Sequence, residues 1–395
     1  MKHCKMVGSM SPASPLQHVV TSPSHRASET TSWRLLRDIA AGESFDAMNV
    51  DWPQLLACAA GEGMLGLLAR AATQCSTSNA IPLEVQRQLR IALIQLEART
   101  ATMLAELARI AETFRSAGIR LLTAKGAVTS QQLYGDPSLR AFTDLDLFVH
   151  PADSQRGAAL LQSCSYREAE PHGAAESASY ARFNYATGWV HDRAGIAVDF
   201  HWHFSGAQFP IRFTFDDVWM RRRSVQVGAH ELDTFGDIDC VLFTASHAAK
   251  HLWSRLEFLA QLSALAKQPL DWEAVDARAI ETNVARQLAC SFRLAHDWLG
   301  TPLPPLPRSF ARARRAYPAV RSRVMQNFAS TPRASDATGR DHLLLLDRNR
   351  DVIRSLSVAL FVPTHTDWRA ARRPFFAWLN RPLRLLWARR AWLSA

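Results

Sequence analysis

The chain is poor in lysine: Lys2, Lys5, Lys125, Lys250 and Lys267 are the full set among 46 basic residues, the rest being arginine. It has no run of about 18 apolar residues, so no membrane-spanning helix is expected. No C-x-x-C pair occurs, and Cys4, Cys58, Cys75, Cys164, Cys240 and Cys290 are far apart. That argues against a zinc knuckle or a redox pair and fits isolated thiols in a reducing cytoplasm, the expected location. The first residues lack an apolar h-region, so no secretory signal is expected. Residues 1–31 are rich in Ser, Pro and Thr and are expected to form a disordered leader. No repeat of fixed period is present.

What the chain does have is enough apolar residues, 48% of 395, for a substantial core. It also has an uneven charge. Residues 308–395 carry 18 Arg, no Lys and five acidic residues, all Asp. This segment therefore holds all of the net positive charge of +10, and the remainder is slightly acidic.

Hydrophobic periodicity divides the chain into five parts. After the leader, 32–117 is expected to be helical: short helices over 33–72, then a long one over 83–117. In the long helix Leu89, Leu93, Leu96, Met103, Leu107, Ile110 and Phe114 recur at three- and four-residue steps. Residues 118–235 have α/β texture, with strands expected at 119–124, 144–149, 180–191 and 196–204 and a helix at 127–134. Residues 236–300 are expected to form helices over 238–265 and 272–299. Residues 301–395 form a basic helical region after the Pro-rich stretch 301–307. The fold class is thus mixed α+β, a small mixed sheet flanked by helical regions.

Two segments concentrate the chemistry. R-A-F-T-D-L-D-L-F-V (140–149) and A-V-D-F-H-W-H (197–203) both alternate apolar and polar residues, as half-buried strands do. Asp144 and Asp146 share one face of the first strand, and Asp199 and His201 share one face of the second. If the strands are sheet neighbours, three carboxylates meet and repel one another. A divalent cation relieves that, and carboxylates suit Mg²⁺ or Mn²⁺. D-x-D alone is as readily a solvated strand face. Asp199, Lys125-Gly126 at the end of the preceding strand, and Arg140 shift the balance. A strand ending in Gly before a helix frees backbone N–H groups for phosphate oxygens, and nearby Lys and Arg neutralise phosphate charge. Metal carboxylates beside phosphate donors is the layout of phosphoryl or nucleotidyl transfer.

The runs L-L-T-A-K-G-A-V, L-Y-G-D-P-S-L-R-A-F-T-D-L-D-L-F-V and V-D-F-H-W-H-F resemble the uncharacterised nucleotidyltransferase family of the polymerase-β-like superfamily. H-A-A-K-H-L-W-S-R-L-E-F-L (247–259) and Asp271-Trp272 extend the resemblance, which covers roughly 40–380. It implies a Mg²⁺-dependent (or Mn²⁺-dependent) transfer of a nucleoside monophosphate from an NTP, ATP being the one expected, to an acceptor hydroxyl with release of pyrophosphate. Asp144 and Asp146 would bind the metal, and Asp199 would complete the site and help deprotonate the acceptor. Lys125, Gly126 and Arg140 would face the triphosphate. The acceptor would be a hydroxyl-bearing small molecule, a peptide or a protein. The sequence departs from the superfamily at Gly126-Ala127, where Gly-Ser is usual, and at Gln261, where relatives often carry Asp. Both motivate an alternative: a non-catalytic nucleotide-binding or regulatory protein on the same scaffold.

Three further features have plain readings beside sharper ones. His201 is a candidate to bind substrate or to fix Asp199 by a hydrogen bond, against a half-buried strand histidine. His247 and His251 have the i, i+4 spacing of a zinc pair, but Ala248 replaces the metalloprotease glutamate. A structural pair, or one lining the phosphate site, is the expected reading. The Arg- and Trp-rich C-terminus has the composition of a membrane or nucleic-acid surface. The favoured reading is instead a segment that packs its aromatics on the protein, with Pro374 and Pro382 preventing a long helix.

Overall fold

The computed structural model describes residues 31–170, 174–330, 333–334, 337, 340–371 and 374–393. The leader expected over 1–31 lies, apart from Thr31, outside the described residues. Three short helices, α1 (Thr31–Ala41), α2 (Trp52–Gly61) and α3 (Leu65–Gln74), precede the 34-residue α4 (Leu83–Ser116). Asp51 caps α2 by accepting from the Gln54 N–H, and Pro53 sits in the first turn, where its missing N–H is harmless.

The middle of the chain alternates strands and helices. In order they are β1 (Leu121–Ala124), α5 (Gly126–Tyr134), β2 (Asp144–Val149), α6 (Ser154–Ser163), β3 (Tyr166–Glu168), α7 (Ala174–Phe183), β4 (Ala186–His191), β5 (Ala197–His201), α8 (Phe215–Met220), β6 (Arg223–Val227) and β7 (His230–Thr234). Among the described residues they form one mixed sheet of order β3-β4-β5-β2-β1-β7-β6. At its centre β2 is antiparallel to β1 and parallel to β5. The class is the mixed α+β one expected.

Strand alternation divides the core in two. Leu145, Leu147 and Val149 of β2 join Val198 and Phe200 of β5 under α4, whose Met103, Leu107, Ile110 and Phe114 cover that face. Phe148 points the other way, into a second core with Phe204, Phe235 and Phe243. That core belongs to the following helices: α9 (Asp237–Lys250), α10 (Leu256–Ala266), α11 (Trp272–Glu281) and α12 (Ala285–Leu299). The basic region adds α13 (Pro307–Ala313), α14 (Tyr317–Ala329), α15 (Arg340–Leu344), α16 (Asn349–Phe361), α17 (His365–Ala370) and α18 (Pro374–Leu393).

Several expectations are corrected. The single strand expected over 180–191 is a helix end and a strand: Tyr180 lies in α7, and β4 starts at Ala186. The Ala-rich A-A-E-S-A-S segment favours helix, and only beyond Asn184 does β-former content dominate. The helix expected over 238–265 is two helices, because Leu252 and Trp253 take positive φ (50° and 45°) and reverse the chain while fully buried. Trp253 holds that turn by donating from Nε1 to Ser291 Oγ at 3.0 Å. The hairpin β6–β7 was not anticipated, although Val225, Val227, Leu232 and Thr234 alternate about Gly228. At the C-terminus α18 runs through Pro382. Its Phe375 and Phe376 are exposed rather than packed, while Trp378 meets Phe183 edge-on at 6.0 Å. Among the described residues no helix is long and apolar enough to cross a membrane. The five described cysteines are free thiols.

Candidate active site

The parallel pairing of β2 and β5 sets Asp146 opposite Asp199 and Phe148 opposite His201. Asp144, Asp146, Asp199 and His201 therefore share one sheet face, as alternation required. Ligand atoms of Asp146, Asp199 and His201 lie within 4.8 Å of one another. Asp144 stands outside that tight group, yet is near enough for its charge to act on Lys125 and for Asp146 and Asp199 to act on it.

Lys125 enters from the neighbouring strand. β1 ends at Ala124, opposite Asp146, and the chain turns directly into α5. Lys125 itself takes φ 58° and ψ −156°, a conformation rarely adopted by a residue with a Cβ. Gly126 follows at φ 44°, with the Phe142 ring 3.1 Å from where a Cβ would stand. This turn delivers the Lys125 ammonium to Asp146, Nζ to Oδ1 2.5 Å. The same Oδ1 lies 3.0 Å from Nε2 of His201. A carboxylate only accepts, so Nε2 carries the proton and Nδ1 is left a bare acceptor. Nδ1 is buried without a hydrogen-bond partner. Of the readings of His201, the hydrogen bond to Asp199 is not the one formed: the ring bonds Asp146 and stacks on Phe148 at 4.3 Å.

The electrostatics follow from this crowding. Burial raises the Asp144 pKa to about 6, assisted by the charges of Asp146 and Asp199. Asp199 is raised by burial and by Asp146. Burial also works against ionised Asp146, but Lys125 and His201 outweigh it and hold its pKa below the carboxylate range. Lys125 is desolvated too, yet the three aspartates keep its pKa above the usual lysine value. Burial lowers His201, and burial with the nearby Lys125 charge lowers His247 well below the ordinary histidine value, so both rings are neutral at pH 7.

The cluster opens into a cavity of about 480 Å³. Lys125, Asp144, Asp199 and His201 form its floor. α9 contributes Phe243, His247 and Lys250, and Lys250 Nζ donates to Tyr185 Oη at 2.6 Å. His247 and His251 thus line the site, the plainer of the readings above, and they stand apart from the Asp146–Asp199–His201 group. The opposite wall comes from the C-terminal helices, with His342, Val358, Val362 and Trp368. No motif marked those four residues or Tyr185; for Lys250 the rarity of lysine was the one signal.

Two expected phosphate-binding residues do not line this cavity. Gly126 is buried under Phe142 and serves the turn. Arg140 lines a smaller adjoining cavity with Thr129, Gln132, His247 and Gln261, and Lys125 borders both cavities. Arg140 Nε is buried there without a partner. Gln261 spends its amide on the Glu257 carbonyl at 3.2 Å.

The donor set suits a divalent cation: the carboxylates of Asp146 and Asp199 and the imidazole of His201 each bring a ligand atom within 4.8 Å of the others, with Nε2 of His201 then giving up its bond to Asp146. Oxygen-rich sites suit Mg²⁺ and Mn²⁺, and an imidazole in the set favours Mn²⁺ of the two.

A family model described as an uncharacterised nucleotidyltransferase matches residues 48–300. Among solved structures the chain is similar to an antigenic nucleotidyltransferase-like protein from Paracoccidioides brasiliensis. That match has 13% identity and a TM-score of 0.30, over 51% of this chain and 94% of the other. No curated protein matches the chain.

Proposed function

The chain belongs to the uncharacterised nucleotidyltransferase family, and we propose that it transfers a nucleoside monophosphate from an NTP, ATP first among them, to an acceptor hydroxyl with release of pyrophosphate. The observation that carries this is the meeting of Asp199 and His201, at the floor of a cavity that also holds two of the chain's few lysines, with the buried Asp146 just behind them. Asp146, Asp199 and His201 would hold a divalent cation, with Asp144 nearby on the cavity floor. Bound there, the cation would supply positive charge to the phosphate oxygens.

The chain's own residues supply the rest. Asp144, outside the cation group, has a raised proton affinity that suits it to accept the proton of an attacking hydroxyl near neutral pH. Lys125 and Lys250 both line the cavity and would hold phosphate oxygens as point charges. His247, kept neutral, can donate one hydrogen bond without adding charge. Phe183, Phe204, Phe209 and Trp368 give the cavity an aromatic wall for a base or an apolar acceptor group.

The test is pyrophosphate release from each NTP against a panel of hydroxyl-bearing small molecules, peptides and proteins. Turnover in the wild type that disappears in Asp146→Asn and Asp199→Asn supports the proposal; turnover that survives both substitutions overturns it. One observation favours a second reading, a nucleotide-binding protein without turnover: Lys125 occupies the carboxylate that a catalytic metal needs. Nucleotide binding with no pyrophosphate release across the panel would select that reading.

A further inference from the structure

We infer that Lys125 is a built-in counter-cation: it competes with divalent ions for Asp146 and yields that carboxylate when phosphates draw its ammonium away. The metal-free site would then bind cations weakly alone and tightly together with nucleotide. The nucleotide half of this rests on the nucleotidyltransferase reading; the competition for Asp146 does not.

The geometry argues it in three steps. First, Asp146 Oδ1 is saturated, with Lys125 Nζ at 2.5 Å and His201 Nε2 at 3.0 Å. The pair is enclosed, the side chains being 17% and 3% exposed, so little solvent screens it. A cation among Asp146, Asp199 and His201 would stand a few ångströms from the ammonium, where like charges repel strongly. A cation on the remaining carboxylate oxygen is bound against the charge of Lys125 until the ammonium moves away.

Second, Lys125 has somewhere to go. It borders both the large cavity and the smaller one that holds Arg140. A phosphate chain in the large cavity gives the ammonium a second anionic partner within its reach, and four rotatable bonds let it swing without moving β1.

Third, the backbone is not relaxed where it is. A non-glycine residue at φ 58° and ψ −156° is strained and is held there by its surroundings. Such strain collects where a side chain must be presented at one point, here between a strand end and a helix start.

Mn²⁺ is the probe. Free Mn²⁺ is followed by electron paramagnetic resonance on the full-length protein, with and without α,β-methylene-ATP, for the wild type, Lys125→Met, Lys125→Gln and Lys125→Arg. Without nucleotide, Lys125→Met and Lys125→Gln should bind Mn²⁺ about tenfold tighter than wild type, and Lys125→Arg should stay near it. The analogue should tighten Mn²⁺ binding by about tenfold more in the wild type than in the neutral variants. Equal or weaker Mn²⁺ binding by the neutral variants overturns the competition. Using two neutral variants keeps the test open if one fails to fold. If the neutral variants gain Mn²⁺ affinity but no protein binds the analogue, the competition stands and the nucleotide reading falls.

Discussion

Asp146 and Asp199 face one another across the β2–β5 pairing, and their environments divide them into unlike roles. Asp146 holds Lys125 and His201 and is kept ionised; Asp199 stands beside that charge in a buried place and is pushed toward its neutral form. Their Asn variants should therefore move stability in opposite directions. Asp146→Asn strands a buried ammonium and should cost the metal-free protein about 3 kcal/mol. Asp199→Asn removes a like charge and should stabilise it by about 1 kcal/mol at pH 7. Urea denaturation in EDTA measures both, and the reverse order would show that the charges are placed otherwise.

Asp144 sets a pH dependence with a definite sign. Its pKa rises from about 4 in the unfolded chain to about 6 in the folded protein. Between those values the folded state holds the proton more firmly, so this group's contribution to stability falls as pH rises and levels off above 6. Asp144→Asn should flatten that fall in the metal-free protein and raise its midpoint at pH 7. Melting curves from pH 4 to 8 in EDTA test it; an unchanged slope would place Asp144 in open solvent.

Gly157 ties α6 to the site. A Cβ there would stand 2.6 Å from Phe200 Cζ and 3.1 Å from Phe114 Cε1. Phe200 lies between Asp199 and His201 in β5, so displacing it moves both neighbours. Helix propensity alone favours Gly157→Ala by about 1 kcal/mol, but overpacking costs about 1–3 kcal/mol and should win. The variant should melt lower and bind Mn²⁺ more weakly. A higher melting temperature would mean that the Phe200 ring can yield.

Lys250 should matter to an anionic ligand more than its partner does. Lys250→Met should weaken α,β-methylene-ATP binding by about tenfold and reduce its salt dependence. Tyr185→Phe removes only the hydroxyl that accepts from Lys250 Nζ, and should leave binding within about threefold. Calorimetry at two salt concentrations distinguishes them, and equal losses would assign the hydroxyl a direct contact.

Much of the floor of the site was legible because side-chain alternation is a local property. D-L-D-L-F-V can bury leucines on one face only by placing Asp144 and Asp146 on the other, and A-V-D-F-H does the same for Asp199 and His201. Parallel pairing of the two strands then brought the faces together, as the reading supposed. Element boundaries were less legible where local signals competed, as between α7 and β4, or where a buried turn at Leu252-Trp253 broke a continuous apolar pattern. Nothing in D-L-D separated the roles of the two aspartates.

Sequence by itself determined the mixed α+β class, the shared face of the four strand residues and the family motifs. Tertiary structure alone decided which partner each acid has. Lys125 reaches Asp146 because β1 lies antiparallel beside β2 and turns sharply at its end. His201 takes Asp146 rather than the Asp199 of its own strand, because the ring reaches across the sheet and stacks on Phe148. The cavity's far wall comes from helices more than a hundred residues away in the chain, with no motif to mark them. Alternation fixes which face a side chain takes; its reach, its partner and its proton affinity depend on non-local packing and on how much water that packing removes.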